Sequence, residues 1–416
     1  MRQMSVRRRL LLKGGLGALL GLAHRAASAD ILENDTGGEA SRVGDGLAAA
    51  QSRLGENLIR VLAARGNKSG GNLIVSPASL AAILGFVDLG ASRPLHLAIH
   101  RTLGFNGVGR RQVDEDLKAL RQGVSAIIAR SGEQAPLALA NLIAFDRSAR
   151  PRQLALFALS GAGADVLVDN LADPKTIDRI NAWVRQKTHD RIPSILDEAP
   201  ETLGLVAVNA LYFKDKWQTP FDPARTVQEK FHPVSGDPVD VAMMHSPIAK
   251  FAFRQDDRFI AAELAYANDD FRLVVATTRS TPAKPADFAP VAGWLGGQGF
   301  ETRSGEIGLP KFSLGAAEEL LQPLDALGLR NARQRVDALD GFSPEELVIS
   351  RIVQKLELRL GEEGTEAAAA TAVVTTRSLA PDPHLRMIVD KPFVFALRDQ
   401  RTGLVLVMGY VGMPPK

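Results

Sequence analysis

The chain contains no cysteine. No disulfide can staple it, no thiol can serve as a nucleophile, and no cysteine-ligated metal centre can form. Its seven histidines never fall in a His-Glu-x-x-His arrangement, so a zinc hydrolase has no support. No Gly-x-Ser-x-Gly elbow occurs, which removes the usual mark of an exported serine hydrolase. Gly161-Ala162-Gly163-Ala164-Asp165 lacks the third glycine of a nucleotide fingerprint and reads as a plain turn. No stretch approaches the ~20 apolar residues that a membrane-spanning helix needs. Acids are missing from Met1 to Ala29, which carries six basic residues. Subtracting those six from the net charge of +3 leaves −3 for the remainder. Nothing there argues for nucleic-acid binding. Arg110-Arg111 reads as a solvated helix face rather than a polyanion site.

What is present begins with that leader. Arg7-Arg8-Arg9-Leu10-Leu11-Leu12-Lys13 precedes a short apolar run, Gly14 to Ala23, and Ala27-Ser28-Ala29 is a small-x-small cleavage site. This is the layout of a signal peptide over residues 1–29. Arg8-Arg9-Leu10-Leu11-Leu12-Lys13 also resembles the twin-arginine export motif. The alternative, an uncleaved anchor, suffers from a run too short and too glycine-rich to span comfortably. The expected destination is the bacterial periplasm or beyond, with no membrane attachment after signal removal. Residues 30–45 are small and polar, a flexible lead-in.

Residues 46–416 read as a single α+β domain, with 45% hydrophobic content overall to furnish a core. Leu54, Leu58, Val61 and Leu62 recur on one helix face. Val113, Leu117, Leu120, Val124, Ile127 and Ile128 mark a second helix, and Ile177 to Ile192 a third with Ile180, Trp183 and Val184 as anchors. Leu205 to Phe213 is almost wholly apolar, as a strand buried on both faces would be. Val348 to Leu360 ends in strict alternation, Leu356, Leu358 and Leu360 against Lys355, Glu357 and Arg359. Phe393 to Leu397 and Leu404 to Val411 flank a turn at residues 399–403, a hairpin signal.

The strand ending at Leu360 runs directly into Gly361, then Glu362-Glu363-Gly364-Thr365-Glu366-Ala367-Ala368-Ala369-Ala370-Thr371. Residues 371–376 are mostly β-branched and favour strand. The alanines cost little side-chain entropy to bury. Thr365, Ala367, Ala369, Thr371, Val373 and Thr375 alternate on one side, all small or β-branched. Pro381 and Pro383 end any strand beyond. The segment can therefore lie outside as a loop or enter a sheet. Composition alone also suits a surface helix or a flexible linker.

The words around the run decide between these readings. Residues 362–371 resemble the hinge signature of the serpin family almost residue for residue. The likeness continues in order through Asn72-Leu73-Ile74-Val75-Ser76-Pro77-Ala78-Ser79, Asn181-Ala182-Trp183-Val184, and Val208-Asn209-Ala210-Leu211-Tyr212-Phe213-Lys214 with Trp217. It runs on through Leu309-Pro310-Lys311-Phe312, Lys391-Pro392-Phe393-Val394-Phe395 and Met408-Gly409-Tyr410-Val411. The resemblance implies a serpin fold with three β-sheets, eight to nine helices and an exposed reactive-centre loop. It implies a suicide substrate of a serine protease, not an enzyme. The loop is cut, stays acylated to the protease and inserts into the central sheet. Strand addition to a sheet edge is a general recognition mode, of which serpin loop insertion is a standing example.

By the same resemblance, Ser76, Ser79 and Asn209 belong to a polar cluster, the shutter, beneath the opening strands. Gln354 stands where the family usually has histidine, and Asn209 is its candidate partner. Trp217 belongs to the breach at the top of the sheet, although core packing would account for it as well. Counting in the family register from Glu362 puts the bait bond at Ser378-Leu379, which suits an elastase- or subtilisin-like protease. A loop shorter by one residue puts it at Arg377-Ser378, which suits a trypsin-like one. The implied partner is the protease alone, met by a monomer that uses no cofactor and no metal. The rival within the family is a non-inhibitory serpin that serves as a binding or carrier protein.

Overall fold

The computed structural model describes residues 45–66, 71–105, 110–130, 135–365 and 384–415. Among the described residues six α-helices have two turns or more: α1 (Asp45–Ala64), α2 (Pro77–Asp88), α3 (Arg93–Thr102), α4 (Arg110–Ala129), α5 (Gln153–Gly161) and α6 (Pro174–Lys187). Single turns follow at α7 (Ala292–Leu295), α8 (Leu321–Leu324) and α9 (Arg330–Arg333). The strands begin with β1 (Leu73–Val75), β2 (Leu137–Asp146), β3 (Asp165–Asp169), β4 (Leu205–Phe213), β5 (Asp215–Lys216), β6 (Val227–Phe231), β7 (Val239–His245) and β8 (Ala249–Gln255). They continue with β9 (Phe259–Ala265), β10 (Phe271–Thr278), β11 (Glu301–Pro310), β12 (Phe312–Glu319), β13 (Ile349–Leu360), β14 (Gly364–Thr365), β15 (Leu385–Ile388), β16 (Phe393–Asp399) and β17 (Val405–Val411).

Among the described residues these strands form two hydrogen-bonded arrays rather than three separate sheets. One holds seven strands in the order β3-β2-β4-β13-β14-β5, with β12 on the other side of β13. The second holds ten. Within it β11 serves two groups at once. Its first half pairs with β8, its second half with β7 and β15. The second and third expected sheets are thus joined edge to edge through one long strand.

The seven-stranded sheet carries the argument. β2 and β4 are buried at every position, because each strand has packing on both faces. Ile143, Ala207, Leu211, Ile352 and Leu356 face the main core with α2. Ala144, Val206, Val208, Tyr212 and Val353 face the other way, under α6, whose Ile177, Ile180 and Val184 close that side. Any separation of β4 from β13 must therefore disturb α6.

That helix is shorter than its apolar spacing predicts, ending at Lys187 instead of Ile192. Thr188 caps it: its hydroxyl donates to the Val184 carbonyl and accepts from the Ile192 N–H. His189 and Asp190 then turn with positive φ. Asn181 and Trp183 hold the helix in place. The Asn181 carboxamide bonds Ile195 and Leu196, and the Trp183 indole donates to Asp165. Helix α1 starts at Asp45 and buries Leu54, Leu58 and Leu62, three of the four residues on its expected apolar face.

One carboxyl in α1 should make stability depend on pH. Burial pushes Glu56 up to about 7, against the opposing charges of Arg60 and Arg53. Because its folded pKa lies above the unfolded one, its contribution is full below the ordinary value of 4.5 and is lost as pH rises through about 7. Glu56→Gln cannot ionise. It is expected to be more stable than the parent by about 1–2 kcal/mol at about pH 8, after discounting for partial exposure, and no more stable at about pH 4. Paired thermal melts at the two pH values check this. An unchanged melting temperature at the higher pH would count against it.

Candidate functional site: the closed sheet and its wedge

Two strands that point the same way lie side by side at the centre of the sheet. β4 and β13 pair in parallel from Leu205–Ile349 up to Tyr212–Glu357. Above that point they part. Leu360 at the end of β13 pairs with Thr365 of β14, and Thr365 pairs with Asp215 of β5, the continuation of β4. The chain leaves β13, turns tightly through residues 361–364, and lays Gly364-Thr365 antiparallel between the two strand ends.

The turn is tied on every side. The Gly361 N–H donates to the Gly364 carbonyl at 2.8 Å. Trp217 donates its main-chain N–H to the Glu363 carbonyl and its indole N–H to the Gly361 carbonyl, at 2.8 and 2.9 Å. The Phe221 N–H bonds the Glu362 carbonyl. The Glu362 side chain accepts from Lys311 and Thr226. Burial pushes that carboxyl up, but Lys311, a backbone N–H and the Thr226 hydroxyl outweigh it and hold it below the usual carboxylate range. Only glycine fits at 364, since a Cβ there would collide with the Asp215 main chain.

Thr365 is 0% exposed. Its hydroxyl lies 2.7 Å from the Tyr266 hydroxyl. Tyr266 is itself fully buried, and the loss of water pushes its phenol well above the ordinary value. Its ring stacks on Trp217 at 4.4 Å between centroids. Trp217 therefore stacks on the ring whose hydroxyl meets Thr365 and also bonds the turn, a double role beyond core packing. Asp215, beside the wedge, is pushed up by burial, against N–H bonds from Lys216 and Asn268.

Lower down, polar groups cross the sheet in a row. Asn141 of β2, Asn209 of β4 and Gln354 of β13 are register partners on adjacent strands, and all three are buried. Asn209 donates to the Ala140 carbonyl and to Asn141 Oδ1 at 3.1 and 3.0 Å. Gln354 reaches Asn209 only at 3.4 Å. Its close partner is a different one. Gln354 Oε1 accepts from the Ser76 N–H at 2.7 Å, and its Nε2 donates to the Ser76 carbonyl at 3.2 Å. Ser76 is the N-cap of α2, and its hydroxyl bonds Ser79 Oγ at 2.7 Å. The amide thus fastens β13 to the helix beneath it.

Ser76, Ser79, Asn209 and Gln354 are brought together, and Trp217 meets residues 361–365 directly. Hinge residues Glu366, Ala367, Ala368, Ala369, Ala370 and Thr371, and both candidate bait bonds at Arg377, Ser378 and Leu379, lie outside the described residues. So do the leader and most of the lead-in. Sequence reasoning missed Tyr266, Asp215, Asn141 and Lys311. Each acts through a contact across a long sequence separation that no local spacing announces.

The family model for serpins (serine protease inhibitors) matches residues 49–414. Leukocyte elastase inhibitor of Bos taurus is 28% identical over 384 residues, covering 88% of this chain and 99% of its own. Iripin-2 of Ixodes ricinus is 30% identical over 377 residues, with coverages of 88% and 93%. The crystal structure of mouse protein-Z-dependent protease inhibitor has a TM-score of 0.74 at 26% identity, covering 89% of this chain and 97% of that one. The chain belongs to the serpin family and has the serpin fold. That is a family of protease inhibitors rather than of enzymes.

Proposed function

We propose that this protein inhibits a serine protease as a suicide substrate. The observation that carries the reading is the wedge. Gly364 and Thr365 already lie antiparallel between the parting ends of two parallel strands. Continuing that direction would zip the following residues down between β4 and β13, each gaining main-chain bonds to both. On the face that Thr365 shares, Ala367, Ala369, Thr371, Val373 and Thr375 follow by alternation, all small or β-branched, and Glu366 falls on the opposite face, so no bulky or charged side chain would enter on the Thr365 side.

In this reading the protease serine attacks a loop bond and forms an ester. Insertion carries the bound protease away before water completes the hydrolysis. Ser378-Leu379 is the bait bond, and a small residue there suits an elastase-like pocket. Leukocyte elastase inhibitor, among the relatives, is named for such a target. The protein acts as a monomer. It is exported by its twin-arginine leader, and Arg8→Lys with Arg9→Lys is expected to block export.

The test is a mixture of purified protein with elastase, subtilisin or trypsin, boiled in detergent and run on a gel. A band at the summed mass supports suicide inhibition, and the sequence of the released C-terminal peptide identifies the bait bond. Quantitative cleavage with no complex against all three would contradict the proposal.

A further inference from the structure

A second cluster lies away from the sheet, where α2 hands over to α3. Asp88 is the last residue of α2. His96 and His100 stand four apart on α3 and so share one face. Asp88 Oδ1 is 2.8 Å from His96 Nδ1, and Asp88 Oδ2 is 3.7 Å from His100 Nε2. One ligand atom from each of the three residues falls within 4.8 Å of the others. The side chains are only 10%, 14% and 8% exposed for Asp88, His96 and His100. His100 Nε2, buried and facing the carboxylate, has no hydrogen-bond partner.

From this geometry we infer a binding site for a zinc-class divalent cation held by Asp88, His96 and His100. Zinc bonds imidazole nitrogen and carboxylate oxygen at about 2.0–2.2 Å, so tetrahedral ligand atoms stand about 3.3 Å apart. The imidazole nitrogens stand 2.8 and 3.7 Å from the two Asp88 oxygens, Oδ1 and Oδ2 respectively, and one atom from each residue lies within 4.8 Å of the others, close enough to converge on one ion. Two imidazoles with one carboxylate favour zinc and its transition-metal neighbours over magnesium or calcium, which prefer all-oxygen shells.

Two physical needs would be met at once. A buried ring nitrogen without a partner costs free energy, and ligation satisfies it. A carboxylate at a helix C-terminus sits in the negative end of its own helix dipole and needs positive charge. The Arg121 guanidinium of α4 lies within electrostatic reach of Asp88 and supplies part of it. The cation supplies the rest. It would also pin the end of α2 opposite Ser76, the residue that Gln354 grips. Occupancy therefore stiffens the floor under the sheet. The spacing His96-x-x-x-His100 is visible in the sequence, but nothing there shows that Asp88 completes a set.

The test uses tag-free full-length protein dialysed against zinc chloride and then against buffer, with bound metal counted by elemental mass spectrometry. Wild type is expected to retain one zinc per chain and to melt at a higher temperature with zinc than without. Cobalt in its place is expected to give the visible absorption of a four-coordinate site. His100→Gln should lose all three signals, while His232→Gln, at an exposed histidine elsewhere, should keep them. His96→Gln at the more exposed edge gives the same reading if His100→Gln does not fold. Negligible zinc in wild type, or equal retention by the His100 or His96 variant and the His232 control, would overturn the inference.

Discussion

A Thr365→Arg chain is expected to be cut in its loop by a protease that the parent traps, and to hold none of it covalently. Thr365 is wholly buried, with its hydroxyl against that of Tyr266, whose ring stacks on Trp217. Arginine cannot occupy that space, and an unpaired charge left there would cost several kcal/mol. The two-residue strand β14 would be expelled at small cost to the rest of the fold. Insertion cannot begin without burying residue 365, so it pays that cost at its first step. A barrier higher by about 3 kcal/mol slows a step roughly a hundredfold, enough for hydrolysis of the ester to win. Densitometry of complex and cleaved bands should show at least a tenfold fall in complex. Thr365→Ser, which keeps the hydroxyl for Tyr266, should behave as the parent. Undiminished complex with arginine at 365 would contradict the wedge as the start of insertion.

Gln354→Leu is expected to lower the melting temperature of the uncleaved protein by several degrees and to produce oligomers on warm incubation. The substitution leaves the Ser76 N–H buried with no partner, since Gln354 Oε1 is its acceptor. An orphaned buried donor costs about 1–3 kcal/mol. The Ser76 carbonyl loses less, because it keeps the helical bond from the Leu80 N–H. The same change loosens β13 from α2 at the level where β13 must part from Asn209, so the sheet opens more readily. An opened sheet offers two unpaired strand edges to the loop of another molecule. Gln354→His, which restores the residue usual in the family, still offers a ring nitrogen to Ser76 and should cost less. Melting curves with size-exclusion chromatography decide the matter. A Gln354→Leu protein that melts with the parent and stays monomeric would show that the amide does not fasten the sheet.

Much of this frame could be read without coordinates, and the reason differs from part to part. β4 was legible because nine consecutive buried positions leave a run that is apolar except at Asn209. The end of β13 was legible because one face is wet and the other dry, which writes a period of two. The end of α6 was not, because Ile192 continues the apolar spacing while Thr188 breaks the helix through a local hydroxyl bond. Gln354 was placed on the core face by parity alone and meets its expected partner Asn209 at 3.4 Å, but its shorter bonds were not legible. Asn209 is the register neighbour, but the reach of the carboxamide takes it to the Ser76 main chain below the sheet. Least legible was the wedge. Glu362 to Thr365 look like the polar entry to an exposed loop. Their burial depends on Trp217, Phe221, Tyr266 and Lys311, which approach from distant parts of the chain.

The claim on which the account rests is that a cut loop enters the sheet between β4 and β13. The most direct measurement is a pair of thermal melts, one on the intact protein and one after a single cleavage between residues 371 and 379. An inserted strand of about ten residues gains main-chain bonds on two edges, each worth ~1 kcal/mol net. The total gain of ~10 kcal/mol or more corresponds to tens of degrees. The cleaved protein is expected to melt that much higher, with a changed Trp217 fluorescence as its contacts to the turn and to Tyr266 rearrange. A cleaved protein that melts at or below the temperature of the intact one would contradict it.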